Sequence, residues 1–456
     1  MIRRRALLLG IAASAVLPAV TAAPRQPPPP PYRSRSPPQR QSAPRSSACC
    51  RGGGQMSTVY DVTTWTHTTN PAITCFTDIG ALINNIIAHI KSQQPNQAAK
   101  PGAIIYLPPG DYPLKTRVTV DISYLTIKGS GHGFASSSIR YNAGNTSAWH
   151  EIWPGGSRIK VENTDGTGEA FRVARTGDPR LSSVVFENFC LDGLSFSPHQ
   201  NSYLNGRTGI LVDTANDAFR IERMGFVYLE HALVVRDADA LSVSGNFIAE
   251  CGSCVELIGS GQASKVTDNL IGAGYVGYSV YAQGHEGLLV SGNNIFPRGK
   301  SLVHFQNTNR SSITANRLHG FYPGMIDFSG INKENLISGN LFRREAEPWP
   351  PMQSYNNGKD DLYGVVHLRG DNNLVTSNMF AYFVDPSRIT PSGATPTIIL
   401  VASGAGNHVS NNHAVSNVAA KHVVLDASTT GTKVLDSATT AQFTAFTANH
   451  TFRPTP

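Results

Sequence analysis

Between residues 100 and 456 the chain is built from short β-branched apolar runs that end in Gly, Asn, Asp or Ser, and one phrase keeps returning. Apolar-x-x-Asn occurs as VSGN ending at Asn246, VTDN at Asn269, VSGN at Asn293, ITAN at Asn316 and ISGN at Asn340, at successive spacings of 23, 24, 23 and 24. VTSN at Asn378 and VSNN at Asn412 follow after wider intervals, VFEN ending at Asn188 precedes them, and IERM near Met224 holds the same place without the asparagine. Self-similarity at such a period marks a solenoid. No long helical pattern intervenes and the L-x-x-L-x-L signature is absent, so the reading is all-β: a single-stranded parallel β-helix whose coils stack at about 4.8 Å. The repeated asparagines then form a ladder, each amide bonding the coils above and below.

One segment departs from this pattern. TDIGALINNIIAHIK, residues 77–91, puts Ile79, Leu82, Ile83, Ile86, Ile87 and Ile90 on one helical face, with Thr77 or Asp78 as the N-cap. A solenoid must protect its ends, and this short helix is expected to cover the N-terminal one. GAIIYLPPGDYPL then opens the strands. The glycines of LTIKGSGHG make no phosphate loop, since neither a helix pattern nor G-K-[ST] follows.

Charge changes the picture only at the front of the chain. The formal net charge is +7, yet residues 1–55 hold nine arginines and no acid, leaving 29 basic and 31 acidic residues in the rest, net −2. A phosphate-binding face should lie in the folded part, so nucleic acid is excluded as a partner. Residues 1–23 read as a signal peptide: MIRRR, an apolar run too short for a membrane span, and small residues up to Ala22. Sec and twin-arginine export both stay open, and either sends the protein out of the cell. Residues 24–55, rich in Pro, Arg and Ser, cannot bury enough surface to order and form a linker. The catalytic body is 56–456. CGSC at Cys251–Cys254 has redox or zinc spacing, but no second pair completes a site, so buried thiols are expected.

Polar residues that a coil core does not need gather between 186 and 363. They are Asp192, His199, Asn201, Tyr203 and Arg207; Tyr228, Glu230, His231, Arg236, Asp237 and Asp239; His285 and Glu286; Arg298 and His304; Asp360, Asp361 and Tyr363. A fold alone does not give a function, and exported β-helices include adhesins as well as carbohydrate-active enzymes.

The stretches GFVYLEHALVVRDADAL, IAECGSCVELIGSGQA, HEGLLVSGNNIFPRG, NRLHGFYPGM and DDLYGVVHLRGDNNLV closely resemble the inulin fructotransferases, glycoside hydrolase family 91. The likeness runs from YDVTTW near residue 60 to the final RPTP, outside the leader and linker. It implies a right-handed parallel β-helix, a homotrimer with active sites at subunit interfaces, and release of terminal difructose from inulin, a β-2,1-fructan, as a cyclic dianhydride. It implies no metal and no organic cofactor. The family's two catalytic carboxylates fall on Asp239 and Glu250.

Breaking a glycosidic bond through an oxocarbenium-like transition state needs one acid and one base, and here an internal fructose hydroxyl takes the place of water. Glu250 follows Phe247, Ile248 and Ala249, an apolar setting that would keep it protonated as the acid; Arg236 would favour an ionised Asp239 as the base, against Asp237. Eleven residues are half a coil, so the pair need not share a face within one chain. Asp192, His231, His285, Glu286 and Arg298 are the expected substrate-binding residues. Difructose anhydride III is the expected product; anhydride I, or hydrolysis of anhydride III, are the alternatives within the family. Outside it stand a Ca²⁺-dependent pectate-lyase-like enzyme, for which Asp360–Asp361 is the acidic pair, and a non-catalytic carbohydrate-binding solenoid.

Overall fold

The computed structural model describes residues 58–93, 102–132, 156–175, 180–194, 203–274, 276–296, 298–348 and 356–455; the expected signal peptide 1–23 and linker 24–55, with His199 and Asn201, lie outside the described residues. The chain is a right-handed parallel β-helix. Among the described residues three long sheets, here A, B and C, carry 14, 11 and 14 strands, and the coils from residue 103 to 425 visit them in that order. Every strand pairing is parallel. A minor three-stranded ladder follows sheet C where the chain turns back to sheet A.

Alternation explains the strands. Ala103–Leu107, Leu125–Gly129 and Ser157–Val161 each bury every second residue. Parallel register stacks the buried positions into columns. The one through sheet A runs from Ile105 to Val434, and Phe186 is its sole member other than Ile or Val. Each such side chain is fully or almost fully buried, worth about 1.5–3 kcal/mol.

Between sheets A and B the asparagine ladder forms as expected. Asn246, Asn269, Asn293, Asn316, Asn340, Asn378 and Asn412 are 1–6 % exposed. Each Nδ2 donates to the Oδ1 of the next at 2.9–3.0 Å, and the chain of bonds ends on Ser437 Oγ. The residue before each ladder asparagine has φ of 53–69°. It is Gly at 245, 292 and 339, but Asp268, Ala315, Ser377 and Asn411 accept the left-handed strain of about 1–2 kcal/mol because the ladder fixes the turn. VFEN proves one residue out of register. Asn188 takes the left-handed position (φ 61°), and pairing through Arg220–Glu222 puts Phe189 and Met224 in the ladder slot. A second ladder, Asn335–Asn373–Asn407, crosses the corner between sheets C and A; the recurring tetrapeptide did not reveal it.

The helix, α1, spans Ile79–Ser92 and buries the six predicted apolar residues against the first strands of sheets A, B and C. Asp78 is the N-cap, accepting from Gly80 N at 3.1 Å and from Thr116 Oγ1 at 2.6 Å, so one carboxylate starts the helix and ties it to the coil below. Gly80 is required there: a Cβ would meet Thr116 O at 1.7 Å. Cys251 and Cys254 are free and buried, and burial pushes the Cys251 thiol up to about 12, far from redox use.

The ladder makes a stability prediction. Asn293→Ala leaves the buried N–H and Nδ2 of Asn269 without their acceptor, which costs about 3 kcal/mol. Asn188→Gly, outside the ladder at a left-handed position, should cost under about 1 kcal/mol. Urea unfolding of both variants checks this; equal losses would mean that the ladder contributes nothing specific.

Candidate active site

Among the described residues, the segments that carry Tyr203, Arg298, Glu347 and Lys359 all leave the coil at one place, the corner where sheet B hands over to sheet C. Glu250 sits there, in the strand Phe247–Cys251. Its register with the next coil slips between Ala249 and Cys251, so Glu250 is the extra residue of a β-bulge, with φ 56°. Bulges re-aim a side chain at sheet margins.

The setting of Glu250 differs from the apolar one expected. The Tyr203 hydroxyl donates to Oε2, and Arg298 Nη1 stands 3.8 Å from the same oxygen. Tyr203 is 2 % exposed. Burial, and then the neighbouring Glu250 charge, hold its phenol far above the usual range, so it stays a donor. The bonds that fasten the segment 203–207 carrying it include Asn205 Nδ2 to Tyr228 O at 2.7 Å, Gly206 N to Glu230 Oε2 at 2.7 Å, Arg207 Nη1 to Gly193 O at 2.5 Å and Glu230 N to Arg207 O at 2.9 Å. Arg298 also reaches Glu347, its Nε 3.9 Å from Oε2. Sequence neighbours such as Phe247 and Ile248 could not disclose partners that lie two coils away on either side.

Asp192 and His231 lie near this corner. Asp192, 1 % exposed, pairs with Arg158 Nη1 at 3.3 Å, and its register partner two coils on is Ala249, beside Glu250. His231 opens a sheet C strand, with Nδ1 2.5 Å from Glu256 Oε2; that hydrogen bond raises its pKa against the opposing effect of burial.

Asp239 lies at the other end of sheet C, in the corner ladder with Asp217 and Ser182. Its column continues through Gln262 and Glu286 to Asn309 and Lys333. The partner expected for it, Arg236, is turned to Asp213 at 3.0 Å; the guanidinium on Asp239 is Arg180, at 2.6 Å. Glu286 pairs with Arg310 at 2.6 Å on this exposed edge. His285 is fully buried, with Nε2 packed against Gly261, so within this chain it does not reach a sugar. Burial lowers its pKa and keeps it neutral. A six-residue strand of sheet C separates the two corners, roughly 20 Å, and the chain does not bring Asp239 and Glu250 together.

A further cluster joins His304 and Tyr363, candidates from the sequence, to Asp327, Lys359 and His367, which the sequence reading missed. Asp327 accepts from Tyr363 (2.9 Å) and His367 (3.0 Å), while Lys359 Nζ lies 2.8 Å and His304 Nδ1 3.4 Å from its Oδ2. Burial opposes the charge, but these partners outweigh it and hold the carboxyl far below its usual range. The period could have found it, since Asp327 follows His304 by one coil and is its register partner. Asp360 and Asp361 do not act as a pair: Asp360 accepts from Leu362 N, whereas Asp361 is buried against Tyr382 and Arg344.

A parallel β-helix with carboxylates and guanidinia collected at its corners has the build of a carbohydrate-processing solenoid enzyme. Residues 339–456 match the family model described as the β-helix repeat of inulin fructotransferase, and 183–349 match that of NosD, a periplasmic copper-binding protein. The chain is 50 % identical over 405 residues, 88 % of its length and 100 % of the relative's, to the inulin fructotransferase [DFA-I-forming] of Arthrobacter globiformis. Solved structures of DFA-IIIase from Arthrobacter chlorophenolicus A6 are similar too. The one without its lid, in complex with GF2, is 52 % identical with a TM-score of 0.82, covering 87 % of this chain and 99 % of that one. The one in complex with DFA-III is 49 % identical with a TM-score of 0.82, covering 87 % and 98 %. The chain belongs to the inulin fructotransferase family.

The hydrogen bond on Glu250 can be tested. Tyr203→Phe should lower kcat at least about tenfold, the loss of a bond to a charged group worth about 1.5 kcal/mol or more, with KM within about twofold. A raised KM at unchanged kcat would instead make Tyr203 a binding residue only.

Proposed function

We propose that the protein removes terminal difructose from inulin as difructose anhydride III. A hydroxyl of the terminal fructosyl unit attacks the anomeric carbon of the next, the bond from that carbon to the rest of the chain breaks, and the displaced oxygen leaves with a proton. One carboxylate takes the proton of the attacking hydroxyl and the other protonates the leaving oxygen. The observation that carries the reading is the Glu250 site: a carboxylate on a strained bulge, bonded by Tyr203 and faced by Arg298. The reading draws its product from the relative crystallised with DFA-III. The relative named for DFA-I favours a second reading, in which another hydroxyl attacks. No step here needs a metal.

The separation of the two corners supports a site shared between chains. In a homotrimer, Asp239 of one subunit would face Glu250 of the next across the interface. Export by the leader 1–23 belongs to the same proposal, an enzyme that meets its polysaccharide outside the cell.

Incubating residues 56–456 with inulin and identifying the small product by NMR tests the chemistry. Difructose anhydride III is expected; anhydride I would transfer the assignment to the second reading, and linear inulobiose would make the enzyme a hydrolase. Mixing and reassembling Asp239→Asn and Glu250→Gln subunits, each inactive alone, should restore about a quarter of wild-type activity if sites are shared. No recovery in verified mixed trimers would place both carboxylates in one chain.

A further inference from the structure

The asparagine period widens twice, to 38 between Asn340 and Asn378 and to 34 between Asn378 and Asn412. Both extra segments leave at the end of sheet B, after Glu345 and after Phe383, and rejoin at sheet C. They stand at the corner that carries Glu250, a few coils further on. With Tyr322 of the preceding coil they wall a cavity of about 310 Å³. Arg298 joins the two places, with Nη1 3.8 Å from Glu250 and Nε 3.9 Å from Glu347, a residue of the cavity wall.

The wall mixes apolar and polar residues, and its buried members include three charged ones. Arg344, Glu347 and Asp361 are 4–6 % exposed, and all three line the cavity. Arg344 gives Nη1 to Glu345 O at 2.6 Å and Nη2 to Asp361 Oδ1 at 3.2 Å, but its buried Nε–H finds no acceptor among the described residues. A buried donor left unpaired is expensive. Lys359 is held at its station by Asp327, and Arg388 lies exposed at the rim.

We infer that this cavity is a subsite for fructosyl units of the substrate beyond the reacting pair. The inference rests on the proposal that the protein acts on inulin. An anion would meet Glu347 and Asp361, and a cation would meet Arg344, Lys359 and Arg388. A neutral polyol suits both, since vicinal hydroxyls accept from guanidinium and donate to carboxylate. The volume is at the small end of the range for ligand sites, enough for about one or two sugar rings.

The test is dependence on chain length. KM and kcat are measured for a trisaccharide fructan and for long-chain inulin with the wild type, Arg388→Ala and Arg344→Gln. Arg388 is exposed, so its variant folds even if loss of Arg344 leaves Asp361 unpaired and the protein unstable. The expected result is a KM for long-chain inulin raised about tenfold, the equivalent of about one lost charged hydrogen bond, with less than twofold change for the trisaccharide. Equal changes for both substrates overturn the subsite. If the wild type turns over neither sugar, the proposed reaction fails instead. Titration calorimetry with the same sugars then decides the subsite: tighter binding of the longer sugar that Arg388→Ala abolishes supports it, and equal binding overturns it.

Discussion

The buried amide ladder is the constraint on which the rest depends. Seven asparagines occupy one line between sheets A and B, and each amide after the first serves three coils: it accepts from the backbone and side chain of the coil before, donates to the coil after, and returns a bond to an earlier carbonyl. An apolar residue there would leave that carbonyl and two donors unpaired in the core. A shift of one residue would do the same and would also turn the aliphatic columns outward. Register is therefore fixed twice, by packing and by polar satisfaction, and left-handed residues such as Ala315 are tolerated on that account.

With register fixed along sheets A and B, variation collects where no ladder runs, and the turn from sheet B to sheet C is such a place. The segment carrying Tyr203, the bulge at Glu250, Arg298, and the extra residues around Lys359 and Arg388 all stand on that edge. Asp327 secures the last of these groups. Its carboxylate is buried on sheet C and accepts Lys359 from the segment above, so an ion pair in the solenoid wall holds a loop that no strand pairing holds. The opposite corner follows another rule, a regular column of Asp217, Asp239, Gln262 and Glu286 with arginines alongside.

Much of what repeats was legible in the chain, the architecture and the ladder from Asn246 to Asn412, and so was the helix with its six buried aliphatics, whereas the second ladder and the His304–Asp327 step were not. Misreadings arose where local neighbours stood in for spatial ones. Arg236 is close to Asp239 along the chain yet serves Asp213, while the distant Arg180 meets Asp239 because the coils stack. Glu250 follows an apolar run, but those side chains belong to the strand, and the bulge turns the carboxylate toward Tyr203 and Arg298. His285 and Glu286 are adjacent and alike in polarity, yet alternation buries the first and exposes the second. Asn188 fitted the motif by letter and failed it by one position, since the turn before the ladder also favours asparagine.

The ladder bonds all run head to tail from Met224 to Ser437, and such aligned amides polarise and strengthen one another. No interior coil can open without breaking its bonds on both sides, whereas a terminal coil breaks them on one. Loss of structure must therefore begin at the ends and travel inward, as a zipper does. The lifetime of the molecule is then governed less by its most regular coils than by the seal that α1 makes over the first of them, held by its six buried aliphatics and by the bonds of Asp78 and Asn84 to the coil below.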